Sequence, residues 1–201
     1  EGPDPNTEQQ KASDPSQSVW VSASAGSGKT KVLTDRVLRL LLPRHDGSPG
    51  TRPQKILGLT FTKAAASEMA LRINKRLANW ITLSDDDLKS ALKQLQGVNP
   101  SEDQMRAARR LFSEVVDTPG GLKIMTIHSF CQSVLNRFPL EAGLPPYFSI
   151  LEGSDIDNVF SDACQKLFRQ SSQNPASPVN EAMATLSTTL NEDQFTDLIR
   201  H

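Results

Sequence analysis

The chain of 201 residues is long enough to bury one hydrophobic core, with room for a smaller appendage. Its hydrophobic fraction of 37% and charged fraction of 22% are in the range of soluble globular proteins. The net charge of −1 excludes a uniformly basic nucleic-acid-binding body, so any such contact must come from local patches. Two cysteines exclude a disulfide framework and favour a reducing cytoplasm. The longest apolar run is interrupted by Arg39 and is far too short to span a membrane, so we expect no membrane contact.

The first half of the chain alternates predicted strands and helices. The first 16 residues are polar and rich in proline, which predicts an irregular lead-in. Residues 18–23 carry β-branched and aromatic side chains and lead into glycines, which predicts a strand. Apolar residues spaced by three and four over 29–42 predict an amphipathic helix that ends at Pro43. The apolar run over 55–62 predicts a strand buried on both faces of a parallel sheet.

The rest of the chain is mostly predicted helix with one further strand. The predicted elements are a helix from the cap Thr62 to about residue 80, a helix over 84–97, a helix over 101–116 that opens with a Ser101/Gln104 capping box, a strand over 122–127, a helix over 128–138, an extended piece over 147–153, and helices near 154–171 and 179–201. This order favours an α/β fold with a parallel sheet and extra helices inserted in it and appended to it.

The segment VSASAGSGKT, residues 21–30, connects the first predicted strand to the first predicted helix. It matches the phosphate-loop pattern G-x-x-x-x-G-K-[ST] except that Ala23 replaces the first glycine. Glycines let backbone amides converge on phosphates, and the helix N-terminus behind them favours an anion. Lys29 is then placed to span the β- and γ-phosphates, and the hydroxyl of Thr30 to hold Mg²⁺. Because an ordinary glycine–serine turn would not require Lys-Thr in this register, the segment predicts a nucleotide site.

Two further segments follow the second and third predicted strands. They are LTFTKAAASEM over 59–69 and TIHSFCQSVL over 126–135. Considered alone, each is equally compatible with a buried strand that enters an amphipathic helix, with its large apolar side chains in the core.

Taken with the loop and in this order, the two segments resemble the UvrD/Rep-type superfamily 1 DNA helicases. That family carries an A-x-A-G-S-G-K-T loop, a T-F-T-x-x-A-A-x-E-M segment and a T-x-H-S-[FL] segment, and it also has alanine at the first loop position. Within the family, residues 7–150 look most like the AddA-type subunit of the bacterial AddAB helicase–nuclease.

The resemblance implies ATP and Mg²⁺ as cofactors and assigns roles to matching positions. Gln10 would recognise the adenine, and the loop residues would bind the phosphates: Ala23, Ser24, Ala25, Gly26, Ser27, Gly28, Lys29 and Thr30. Lys29 and Thr30 would be the catalytic pair, with Thr30 as the metal ligand. Arg36 would approach the nucleotide, although a solvated helix face explains it equally well.

The resemblance also implies a path for single-stranded DNA. Its candidate contacts are Thr60, Phe61, Thr62, Lys63, Thr126, His128 and Ser129. Phe61 offers a ring on which a base can stack. Lys63 stands where the family often has asparagine, so a phosphate contact is one interpretation of it.

The sequence lacks the Asp-Glu pair that such a helicase uses to hold Mg²⁺ and activate water, since no Asp-Glu dipeptide occurs in it. We therefore expect an N-terminal fragment, catalytically inactive by itself and self-associating. It would hold a partial RecA-like ATP-binding domain over 17–75 and 121–140, after a lead-in over 1–16. A partial helical accessory region would cover 76–120 and 141–201. The intact protein would translocate on single-stranded DNA and unwind duplex ends in recombinational repair, together with a second, AddB-like subunit.

Two other classes of protein remain open at this point. One is a stand-alone P-loop kinase or GTPase, although the chain has no Asn-Lys-x-Asp stretch for base recognition. The other is a non-catalytic DNA-binding module with a vestigial loop. Affinity for nucleotide would separate the second class from a helicase.

Overall fold

The structure is a computed structural model that describes residues 5–22, 24, 26, 28–151, 153–173, 176–190, 194 and 198. The chain divides into two compact units, Glu1–Ala142 and Gly143–His201. The described part of the first unit holds six α-helices and a two-stranded parallel sheet. The described part of the second unit holds two helices.

The elements follow the predicted order. In the first unit they are α1 (Pro5–Ala12), α2 (Lys29–Leu41), a short 3₁₀ helix (Pro53–Lys55), β1 (Leu57–Thr60), α3 (Lys63–Thr82), α4 (Asp85–Gln96), α5 (Glu102–Val116), β2 (Lys123–Thr126) and α6 (Ile127–Arg137). In the second unit they are α7 (Ser154–Gln173) and α8 (Pro178–Ser187). The mixed α/β composition and the parallel pairing of β1 with β2 are confirmed. The last predicted helix is described only in part, because most residues beyond 190 lie outside the described ranges.

Local side chains set the start of most helices. The side chain at each N-cap accepts a hydrogen bond from an amide three residues later, which satisfies a donor that the helix itself cannot. The caps are Thr62 of α3, Ser84 of α4, Ser101 of α5, Thr126 of α6 and Ser177 of α8. The predicted capping box of α5 is confirmed, since the Gln104 side chain also accepts from the Ser101 amide.

The core of the first unit lies among helices α2 to α5. Its large and fully buried side chains are Leu38 of α2, Ile73, Leu77 and Trp80 of α3, and Leu88 and Leu92 of α4, with Leu111 and Val115 of α5 beside them. The sheet adds Ile124 at the edge of this cluster. Helices α4 and α5 therefore share one hydrophobic core with the helix that follows the phosphate loop.

The predicted irregular lead-in is wrong for residues 5–12, which form α1. Arg39 of α2 donates from Nη1 to the carbonyl oxygen of Gln10 at 2.7 Å and to Ser13 Oγ at 2.9 Å. A helix this short is marginal by itself, so these contacts with α2 stabilise it. The local sequence has no apolar periodicity that would have revealed the helix.

The predicted strand over 18–23 is wrong for its described residues, 18–22, which pair with neither β1 nor β2. Trp20 within this segment is 92% exposed. The prediction that the second strand is buried on both faces is also wrong, because Leu57 and Leu59 of β1 are each 44% exposed. A strand needs a hydrogen-bonded partner and a covering layer, and strand-like composition supplies neither.

Candidate functional site

The phosphate loop, residues 23–30, ends at the N-terminus of α2. Gly26 and Gly28 have φ angles of +81° and +90°, a left-handed conformation that favours glycine. Gly28 is the N-cap of α2, and Lys29 and Thr30 are its first two helical residues. The local geometry is thus that of a chain turning sharply into a helix.

The N-terminus of α2 differs from those of the five helices with capping side chains. No side chain caps it, and no acidic residue lies in its first turn. Helices carry partial positive charge at this end, and their first amides need acceptors from outside the helix. A phosphate group is such an acceptor, so the N-terminus of α2 is suited to bind one.

Lys29 turns back over the loop. Its Nζ donates to the carbonyl oxygen of Ser24 at 2.7 Å, and its side chain is exposed. Thr30 is half-buried at the start of the helix. The structure therefore brings Ser24, Gly26 and Gly28 together with Lys29 and Thr30, while Ala23, Ala25 and Ser27 lie outside the described residues.

The glutamine that lies against the loop is Gln9. A Cβ atom at Gly28 would be 3.1 Å from Gln9 Nε2, and Lys31 Nζ donates to Gln9 Oε1 at 3.0 Å. The Gln10 side chain instead donates to the carbonyl oxygen of Gln94 in α4 at 3.1 Å. Neighbouring helical residues point about 100° apart, so only one of the two amides faces the loop. Sequence analysis missed Gln9 because it did not predict α1.

Arg36 holds the chain between α1 and the loop. Its guanidinium donates to the carbonyl oxygens of Asp14 and, at 2.7 Å, of Gln17. Within the same turn, hydrogen bonds from the amide and hydroxyl of Ser16 hold the pKa of the Asp14 carboxyl below its usual value. Neither an approach to the nucleotide nor a solvated helix face describes Arg36.

The two threonine-rich segments meet at one edge of the sheet. The parallel register places Thr60, the last residue of β1, opposite Thr126, the last residue of β2. The turns that follow, over 61–63 and 127–129, therefore lie side by side at the carboxyl ends of the strands. Residues 18–22 are not paired with these strands, so the sheet does not connect the phosphate loop to this edge in the described residues.

The side chains at this edge divide into structural and accessible groups. Thr62 and Thr126 cap α3 and α6, Ser129 Oγ lies 2.9 Å from Thr126 Oγ1, and Thr60 Oγ1 donates to the carbonyl oxygen of Thr62. The exposed side chains are Phe61, at 86%, Lys63 and His128. Phe61 is thus a surface ring and not a core residue, which favours the stacking interpretation.

Comparison with known families decides the class. Residues 5–199 match the UvrD/REP helicase N-terminal domain. The chain belongs to this family. Membership confirms the resemblance seen in the three motifs, and it does not favour a stand-alone kinase or GTPase. It implies a P-loop nucleoside-triphosphatase fold, to which the parallel pair β1–β2 and the glycine-led start of α2 are suited.

Curated relatives in the UvrD/REP family share one name, which is that of the AddA subunit of an ATP-dependent helicase/nuclease. The protein of Lactobacillus helveticus is 36% identical over 145 residues, 72% of this chain, and that of Lactobacillus gasseri is 35% identical over 144 residues, 71% of the chain. The protein of Exiguobacterium sibiricum is 33% identical over 150 residues, 75% of the chain. The matches cover only 10% to 11% of the relatives' own length. Of the helices described here, none is long and apolar enough to cross a membrane.

Proposed function

We propose that this chain is the N-terminal ATP-binding part of an ATP-dependent DNA helicase subunit. The full-length protein would move along single-stranded DNA and unwind duplex ends in recombinational repair. The observation that carries the proposal is the start of α2, where left-handed glycines lead directly into Lys29 and Thr30 and no side chain caps the helix. Family membership and the name shared by the relatives support the same function.

The residues around the loop fit a nucleotide with Mg²⁺. The open start of α2 suits phosphate oxygens, and Lys29 is one side-chain rotation away from them, since it donates to the carbonyl oxygen of Ser24 in the loop. Thr30 would hold Mg²⁺, which neutralises charge on the phosphates when bound. We assign recognition of the adenine to Gln9 in place of Gln10, because the Gln9 amide lies against Gly28.

DNA would contact the carboxyl edge of the sheet. Phe61, Lys63 and His128 supply an exposed ring, an exposed cation and an exposed imidazole on adjacent turns. A base can stack on the ring, while the cation attracts the backbone phosphates. This local patch provides the DNA contact that the net charge of −1 does not.

Hydrolysis would depend on the full-length protein. No Asp-Glu pair occurs in these 201 residues, so the groups that activate water would come from a further segment. The relatives are about ten times longer than the matched region, which leaves room for a second motor domain. Because their shared name describes one subunit of a helicase/nuclease, it supports an AddB-like partner. The predicted division into an ATP-binding domain and a helical accessory region belongs to the same proposal.

Lys29→Ala in the full-length protein tests the nucleotide site. We expect ATP turnover to fall about a hundredfold or more, the scale for loss of one charge-stabilising donor. The melting temperature should stay within error because Lys29 is exposed. Lys93→Ala, on the exposed face of α4, is the matched control and should keep full turnover. Turnover near the wild-type rate in the Lys29 variant would exclude the loop as the site of ATP hydrolysis.

A further inference from the structure

A second cavity lies beyond the phosphate loop, between α2 and α3. It has a volume of about 770 Å³. Its lining includes Lys31, Thr34 and Asp35 from α2, and Arg72, Lys75 and Arg76 from α3. Pockets that bind small molecules commonly have volumes of about 300–1,000 Å³. We call this cavity the α2–α3 cleft.

The cleft is more cationic than the chain as a whole. Its four cations face one lining carboxylate, Asp35, which contacts Lys31 at 3.2 Å and Arg76 at 3.4 Å. Arg72 pairs with Glu68 on the exposed surface of α3. Lys75 is exposed and has no ion pair within the described residues. The mouth of the cleft therefore has uncompensated positive charge, which favours an anionic group.

The inner wall of the cleft holds an unpaired hydroxyl. Thr34 is only 4% exposed, and its Oγ1 has no hydrogen-bond partner among the described residues. Buried polar atoms nearly always have a partner, and an orphan inside a cavity indicates an occupant that supplies one. Asp35, 8% exposed, lies one residue further along α2 and adds a carboxylate acceptor.

We propose that the α2–α3 cleft binds a phosphorylated small molecule. Its phosphoryl group would lie at the mouth, on Lys75 and Arg72, and a hydroxyl or amino group of its body would bond with Thr34 and Asp35 inside. A phosphate cannot take the inner position because the Asp35 carboxylate would repel it. The cavity is bounded by two helices and suits a compact ligand better than a nucleic-acid strand, which needs a long groove along which its backbone can run.

The cleft and the phosphate loop use different parts of α2. The loop offers the glycines and the first two helical residues, whereas Thr34 and Asp35 begin the second turn. Silencing the loop should therefore leave the cleft able to bind. This separates the present proposal from the proposed ATPase function, since either one can fail without the other.

Equilibrium dialysis on the full-length protein in a Lys29→Ala background tests the cleft. Labelled ADP, AMP and inorganic pyrophosphate distinguish a nucleotide from a plain phosphate source. We expect at least one of them to bind at one site per chain. Lys75→Gln should weaken that binding about tenfold, as the loss of a charge-assisted hydrogen bond does. Arg110→Gln removes an equally exposed cation from α5 and should change nothing.

Thr34→Val provides a second readout that does not depend on charge. Valine has the shape of threonine without the hydroxyl, so the variant should bind the ligand more weakly while its unliganded melting temperature stays the same or rises. Loss of all phosphate-ligand binding in the Lys29→Ala background would overturn the proposal. Equal affinities in the Lys75→Gln and Arg110→Gln proteins would also overturn it, as would displacement by single-stranded DNA with no binding of the three small ligands.

Discussion

Phe61→Ala removes the exposed ring at the carboxyl edge of the sheet. The ring follows Thr60, which lies opposite Thr126, and it precedes the Thr62 hydroxyl that caps α3. The substitution leaves both threonines in place. We therefore expect the full-length variant to fold normally and to bind single-stranded DNA more weakly.

The structure sets the size of both effects. Truncating a buried phenylalanine costs about 3–5 kcal/mol of the free energy of unfolding. Phe61 is 86% exposed, so the corresponding cost scales to well under about 1 kcal/mol. A stacked base contributes about 1–3 kcal/mol, which corresponds to roughly a 5- to 150-fold increase in the Kd for DNA.

Fluorescence anisotropy with a labelled oligothymidine measures the affinity, and thermal melting measures the stability. Leu71→Ala removes another exposed apolar side chain, 68% exposed and further along α3, and should leave DNA binding unchanged. Trp80→Ala, at a residue 1% exposed in the core, should lower the melting temperature strongly. If Phe61→Ala behaved like Trp80→Ala in melting and like Leu71→Ala in DNA binding, the stacking role would be refuted.

Three other substitutions test the contacts that hold the first unit together. Arg109 donates to three main-chain carbonyls around the end of α3 and to Asp85, so Arg109→Lys should cost about 1–3 kcal/mol in chemical denaturation; an unchanged midpoint would contradict this. Ser101→Ala removes the capping box of α5 and should cost about 1 kcal/mol, and a neutral result would mean that the box does not stabilise the helix. The pKa of Asp14 lies below its ordinary value of 3.8, so its stabilising contribution is present above that pH and is lost as the pH falls through the folded-state value. Asp14→Asn should therefore flatten the loss of melting temperature between about pH 5 and pH 3, and an unchanged acid profile would show that Asp14 does not contribute.

Much of this protein follows from the sequence alone because the interactions responsible are local. A cap such as Thr62 or Ser101 bonds an amide only three residues away, so the sequence reveals where each helix begins. The glycines of the phosphate loop are required by their own φ angles. Parallel strands that are joined through helices bring their carboxyl ends to one edge, which made the neighbourhood of Thr60 and Thr126 predictable.

Tertiary structure alone decided the features whose partners are distant in the sequence. Helix α1 depends on Arg39, which lies 29 residues beyond the Gln10 carbonyl that it binds. Which of the two adjacent glutamines faces the loop follows from the rotation of α1 against α2, and no composition signal encodes that rotation. The exposure of Phe61 and the unpaired hydroxyl of Thr34 likewise depend on which elements pack beside them. Burial and pairing belong to the whole fold, because they are fixed by side chains that meet only after distant segments have come together.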